Sequence, residues 1–539
     1  MRRTLIAIVA AIPLGIAASA SASPAFGPPI DVKLPVVASA VSFSVTVADV
    51  NGDGRQDLIT PVTMINSKAP PGVFVVLAKG GGGYGAPIFT AVTIPPFWSL
   101  AQVAAADFNG DGKLDLAVPA SPAQPGQLTV EIGDGTGHFT PGVTVPVPNS
   151  AEYSAAADLN GDGKADLVVS GVAPAGAPAL AVYLGDGAGG LALAPKQPPP
   201  AHGANDLLLR DMDGDGGLDI VSSGFGGEID VFHGNGDATF AAPAVSTTPP
   251  GAQRDATADF NGDGRLDVAQ TNIFGPAPGT KPPYGYGSPG TAYLALAGPG
   301  GALGPGQLVG AVGVLPSAIA GADLTGDGKP DLIVGNLRAT FTAVGQFAGA
   351  VSIFDGNGDG TFGVPADYGN HAVRDVVAQD VNGDGHPDVV EDVAGVGVTI
   401  EVLPGLAGKA DPLQQMLAAI PASVAATPAP SGPAITVRLP IRLPSSVSVV
   451  TVGLIAASGA SGTVGHGRAT VAAAGAPALE GTATVRRAKH GRTIARVALT
   501  PAARRALKAS HSLQVVVAGA ATPRHGVREV HRKVITLRG

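Results

Sequence analysis

One nine-residue stretch recurs seven times in the same frame, and this repetition limits the fold more than any other feature of the chain. The copies are DVNGDGRQD from Asp49, DFNGDGKLD from Asp107, DLNGDGKAD from Asp158, DMDGDGGLD from Asp211, DFNGDGRLD from Asp259, DLTGDGKPD from Asp323 and DVNGDGHPD from Asp380. Their first acids are 58, 51, 53, 48, 64 and 57 residues apart. A period of that size marks a stacked or radial repeat. Each copy follows an alternating segment such as VAAAD and leads into a β-rich run such as LDLAV. A third strand (LTVEIG), a turn (DGTGHF) and a fourth strand (VTVPV) follow. Four short strands per repeat, seven times over, predict a seven-bladed β-propeller.

The two ends of the array fit together. The seventh repeat stops after its third strand, VTIEVLPGL, and lacks the turn phenylalanine and fourth strand. FGPPIDVKLPVV, at Phe26 to Val37, has the shape of that missing piece and stands ahead of the first loop. The N-terminal strand is therefore expected to complete the last blade, which leaves no unpaired edge there.

Carboxylates packed this closely repel one another unless a cation sits among them. Side-chain oxygens come from positions 1, 3, 5 and 9 of each loop, and a backbone carbonyl comes from position 7. Such a set suits Ca²⁺, which takes many oxygen ligands in loose geometry, with glycine at position 6 for the sharp turn. The expected ligands are Asp49, Asn51, Asp53, Arg55 and Asp57, then Asp107, Asn109, Asp111, Lys113 and Asp115, then Asp158, Asn160, Asp162, Lys164 and Asp166. They continue with Asp211, Asp213, Asp215, Gly217 and Asp219, then Asp259, Asn261, Asp263, Arg265 and Asp267. The last two sets are Asp323, Thr325, Asp327, Lys329 and Asp331, and Asp380, Asn382, Asp384, His386 and Asp388. The arginines, lysines, glycine and histidine at position 7 contribute only their carbonyls. Thr325 departs from the pattern and predicts a weaker site. A solvated acidic turn would account for one such loop, but not for seven in one frame. Up to seven structural Ca²⁺ ions are expected. Glu391 falls where an EF-hand has its twelfth-position ligand, yet the other six loops lack that acid, so the match reads as accidental.

Motif, period and copy number together resemble the FG-GAP/VCBS repeats, the blades of the integrin α-subunit propeller. The resemblance covers about residues 26–408 and implies Ca²⁺ in the loop between the first two strands of each blade, with a mainly structural role. Family members include adhesion proteins, lectins and modules attached to enzymes.

The flanks carry different signals. MRRTLIAIVAAIPLGIAASASASP joins a basic start, an apolar run and small-residue cleavage sites, so residues 1–22 read as a secretory signal peptide and the protein as secreted, with an association with the cell wall in view. No membrane span is expected. The chain has no cysteine, so packing or metal must hold it together. Residues 23–408 form the propeller and residues 409–432 a Pro/Ala-rich linker. Residues 433–539 carry 16 Lys/Arg against 2 Asp/Glu and alternate like a small Ig-like β-sandwich. That end resembles basic C-terminal domains of secreted actinobacterial proteins, and its charge suits an anionic cell-wall polymer.

For partners, the longest insertions and the single tryptophan fall on the face opposite the acidic loops, with Phe97, Trp98, Tyr153, Phe274, Tyr284, Tyr286 and Phe341. These are the expected contacts for a glycan or an extracellular protein, unless they cap blade junctions. Nothing points to nucleic acid. Five histidines (His138, His202, His233, His371, His386) are scattered over different repeats, and no nucleophile motif or phosphate loop occurs. The chain therefore reads as a non-enzymatic interaction or adhesion module, with a polysaccharide hydrolase or lyase, or the accessory module of one, as the alternative.

Overall fold

The structure is a computed structural model. It describes residues 24–35, 40–64, 70–94, 99–121, 126–172, 179–273, 289–338, 351–369, 371–395 and 397–406, and seven further strands between Ser423 and Arg538. Residues 1–22, read above as a signal peptide, lie outside the described residues.

Short alternating runs broken by glycine turns cannot propagate a helix, and among the described residues the helical content is one 3₁₀ turn at Pro299–Gly301. Strands occupy the rest in a repeating order. In the third repeat, Tyr153–Ala157, Asp166–Ser170, Leu180–Gly185 and Leu191–Leu193 pair antiparallel in sequence order. The first, second and fourth repeats form separate sheets of the same kind. The fifth and sixth share the long strand Gln307–Ala322, whose first half pairs with Pro289–Ala295 and whose second half pairs with Asp331–Arg338. Leu315, between the two halves, has φ of 56°, a conformation rare for a leucine.

The last sheet takes its fourth strand from the other end of the chain. Ile30–Lys33 pairs antiparallel with Gly397–Leu403, Ile30 opposite Val402 and Lys33 opposite Thr399. Hydrophobic clusters then join each sheet to the next. One of them joins the last sheet to the first, with Val32, Val390, Ile400 and Val402 packed on Leu58, Val62 and Phe74. The result is an all-β, propeller-like ring of sheets.

Near the axis, the innermost strands are tied side to side. Thr46 Oγ1 donates to the Val103 carbonyl (2.9 Å), Ser154 Oγ to Gln102 (2.9 Å) and Ser317 Oγ to Val373 (2.7 Å). Val45 N–H donates to Asp375 (3.0 Å) and Asp255 N–H to Asp206 (2.7 Å). The Arg254 guanidinium lies 4.3 Å from the centre of the Tyr153 ring, bonds Asp206 at 3.4 Å and reaches the Ser317 carbonyl at 3.3 Å. It thus bridges the third, fourth and sixth repeats from the fifth.

Beyond residue 406, the runs read as sandwich strands are strands: Ile435–Ile441, Val449–Ala456, Leu479–Arg486, Thr493–Ala498, Ser512–Ala521 and Glu529–Arg538. Ser423–Pro428, in the span read as linker, is also a strand and pairs in parallel with Glu529–Arg538. Glu529–Arg538 in turn meets Ala366–Tyr368 of the sixth repeat.

Candidate metal loops and their setting

Every acidic loop occupies the same place. The first strand of its repeat ends one residue before position 1, and the second begins on the position-9 aspartate, so the loop is a hairpin connection with, for example, Ala48 opposite Asp57. Glycines at positions 4 and 6 have positive φ in every copy; in the first, Gly52 has 70° and Gly54 has 83°. A side chain at either position would be strained, and their amides turn inward instead.

Those amides orient the acids. In the second loop, Asp107 accepts the N–H groups of Gly110 (2.7 Å), Asp111 (3.2 Å) and Gly112 (2.8 Å). Asn109 Oδ1 accepts Asp111 N–H (2.8 Å), and Asp111 Oδ1 accepts Lys113 N–H (3.0 Å). The other loops repeat this scheme with small variations. In the fourth loop one oxygen each from Asp211, Asp213 and Asp215, at positions 1, 3 and 5, lie within 4.8 Å of one another. A carboxylate oxygen that accepts one N–H keeps a second lone pair. The donor set, hard oxygens on a short loop, fits Ca²⁺.

Position 7 is not a passive exit to solvent. The basic side chain turns back on the position-5 acid, Arg55 to Asp53 at 2.8 Å and Lys329 to Asp327 at 3.3 Å. Such exposed pairs add little stability.

Position 9 has a second task that sequence reasoning missed. Asp115 is fully buried and accepts N–H groups from Phe108 (3.0 Å), Asn109 (3.2 Å) and Gly133 (2.8 Å), which ties the loop to the end of the third strand. Asp57, Asp166, Asp219, Asp267, Asp331 and Asp388 make the equivalent bonds. Burial pushes the carboxyls of Asp267 and Asp388 up to about 6 and that of Asp331 up to about 8. A nearby cation would draw them down again.

The apolar residue at position 2 anchors each loop between sheets. Val50, Phe108, Leu159, Met212, Phe260, Leu324 and Val381 are all buried. Each shares a cluster with a turn residue of the following repeat: Val50 with Phe139, Leu159 with Phe240 nearby, and Phe260 with Phe362 at a ring separation of 5.6 Å. Leu324 of the sixth loop shares one with Phe26 of the N-terminal segment, and Val381 of the seventh with Tyr84 of the first repeat. Backbone bonds reinforce this. Phe108, Leu159 and Phe260 carbonyls accept N–H groups from Gly189, Ala238 and Gly360 in the neighbouring turn. The stretch DGNGDGTF at Asp355 is one of these turns.

Of the aromatics expected to contact a ligand, Tyr153 is half-buried under Arg254 near the axis. Phe97, Trp98, Phe274, Tyr284, Tyr286 and Phe341 lie outside the described residues. Phe225, at the strand end away from the acidic loop, and Phe43, between the two segments of the first inner strand, are exposed.

Among the scattered histidines, His202 Nδ1 bonds Asp230 (2.8 Å) and His233 Nδ1 lies 3.2 Å from Asp219, whereas His371 meets two glutamates. Glu391 does not serve the seventh loop as a twelfth-position ligand: its carboxylate holds His371 at 2.7 Å. The Arg254–Asp255 and Arg374–Asp375 dipeptides lie within inner strands, and Arg254 pairs with Asp206 of the preceding sheet rather than with its neighbour.

Three segments match family models. Residues 211–269 and 323–391 match the FG-GAP-like repeat and residues 100–130 match the FG-GAP repeat. Three stretches of the chain thus match FG-GAP-type repeats, and they lie within an all-β, propeller-like ring of sheets. No curated protein matches it. Solved structures with some likeness include two crystal structures of BBS1N in complex with ARL6DN. The one soaked with mercury has 12% identity and a TM-score of 0.42, and the one soaked with lead has 13% and 0.40. In each, the alignment covers 70% of this chain and 97% of the other.

Proposed function

We propose that the protein is a secreted, Ca²⁺-binding propeller that serves as an extracellular interaction or adhesion module for a glycan or protein ligand. The observation that supports this reading is the same acidic-loop hydrogen-bond scheme repeat after repeat, with three acid oxygens drawn together in the fourth loop and each loop packed onto the next sheet. The ring has seven blades on this reading, since the long strand Gln307–Ala322 is divided at Leu315 into the last strand of one blade and the first of the next. The C-terminal strands form a basic sandwich that contacts an anionic cell-wall polymer.

Ca²⁺ is structural here. Held by positions 1, 3, 5 and 9 and the position-7 carbonyl, it supplies the positive charge that lets the carboxylates of one loop coexist. The chain's own groups do the rest: they preorganise those oxygens and transmit the loop's rigidity to the neighbouring turn. Titration calorimetry with Ca²⁺, followed by a glycan array on the wild type and Trp98→Ala, tests both parts. Stoichiometric Ca²⁺ uptake with ligand binding lost in Trp98→Ala is the expected result. Absence of Ca²⁺ uptake would remove the metal reading, and unchanged glycan binding by the variant would remove the proposed ligand face.

A further inference from the structure

Apart from the acidic loops, the last sheet carries a cluster of described side chains that its packing does not explain. In the last sheet, Glu391 stands directly opposite Glu401, and Glu401 directly opposite Asp31 on the N-terminal strand. Three acids thus form one row across three neighbouring strands. Like charges in that arrangement destabilise a sheet. The row faces the sixth repeat, in a wall otherwise built from Val373, Val376, Val389, Leu403 and Tyr368.

His371, at the start of the same sheet, completes the group. Its Nε2 lies 2.7 Å from Glu391 Oε2 and 3.9 Å from Glu401 Oε1. Asp31 lies beside Glu401 on the adjacent strand. One ligand atom from each of His371, Glu391 and Glu401 lies within 4.8 Å of the other two. Glu391 has 0% exposure, and its Oε1 is buried without a hydrogen-bond partner. A single imidazolium offsets one of three negative charges, and an uncompensated carboxylate in an apolar wall is costly.

We propose that His371, Glu391 and Glu401, with Asp31 at the rim beside them, bind one divalent transition-metal ion of the zinc type at a site separate from the acidic loops. One imidazole nitrogen with carboxylate oxygens is a donor set for Zn²⁺, whereas the all-oxygen loops suit Ca²⁺. The side chains of His371 and Glu401 are 21% and 13% exposed, which leaves a path for the ion from the rim where Asp31 is exposed. The ion would link the N-terminal strand to the last sheet and so pin the closure of the ring.

The test uses the full chain at saturating Ca²⁺. Zn²⁺ uptake is followed by equilibrium dialysis with elemental analysis, and Co²⁺ serves as a spectroscopic probe of the imidazole–carboxylate set. The wild type should take up one more equivalent than His371→Ala, and Glu401→Gln should weaken that equivalent at least ~10-fold. Zn²⁺ should raise the melting temperature of the wild type and not of His371→Ala. A loop variant, Asp107→Asn, should leave the Zn²⁺ equivalent intact, which separates this site from the Ca²⁺ reading. Equal Zn²⁺ uptake by wild type, His371→Ala and Glu401→Gln would overturn the proposal and leave an ion pair only.

Discussion

The position-9 aspartates show how one residue serves both a loop and a sheet. Asp115 is fully buried and holds three backbone amides. Asp115→Ala would orphan them, and we expect a loss of about 3 kcal/mol in urea unfolding. Glu131 presents the opposite case. It sits opposite Leu116 in the wall between the first two sheets, with both carboxylate oxygens buried and unpartnered. Burial pushes its carboxyl up to about 7 from an ordinary 4.5. The folded state therefore holds a proton that the unfolded state releases, and the stability this gives is present below pH ~4.5 and is lost as pH rises through ~7. Glu131→Gln should stabilise the protein by about 2 kcal/mol at pH 8 and have little effect at pH 4, read from urea midpoints at the two pH values. The repeated acids were legible in the sequence because their spacing is local. The amides they hold were not: Gly133 lies 18 residues from Asp115, and only folding brings them together.

The acidic loop and the apolar turn of the next repeat form one element in space, although 81 residues part Phe108 from Gly189 in the chain. Position 2 could be read as an anchor from its constant apolar character, and the turn from its glycines. Their mutual contact required the ring. An ion bound in a loop stiffens position 2 and hence the neighbouring sheet, so Ca²⁺ removal should act on several interfaces together. Chelation is expected to lower the melting temperature in calorimetry, and unchanged melting would contradict a structural ion. Thr325 Oγ1 bonds Asp323 at 3.2 Å instead of presenting a carboxylate or amide. Thr325→Asp should therefore strengthen the weakest equivalent in a Ca²⁺ titration. The cluster of His371, Glu391 and Glu401 had no local signature. Its members sit on different strands, 20 and 30 residues from the histidine, and only strand register aligns them.

Across the whole molecule, closure depends on contacts that no local pattern records. Arg254 joins inner strands from different repeats, and its loss would leave the buried Asp206 with the Asp255 N–H but no cationic partner. Arg254→Met is expected to cost about 3–5 kcal/mol, measured by denaturant unfolding. The N-terminal strand was readable because the repeat grammar showed what the last sheet lacked. Deleting residues 26–37 should turn a single sharp thermal transition into a broad one and promote self-association through the exposed edge of Gly397–Leu403. The same topology dictates an order of events during synthesis. Ile30–Lys33 leaves the ribosome before the strands of all seven acidic-loop repeats, yet its partner strand is made more than 360 residues later. This early segment must therefore wait, solvated and open to proteases, until the last repeat arrives. A circular permutant that moves this strand behind Leu406 would let closure proceed locally, and it should refold faster than the natural order at similar stability.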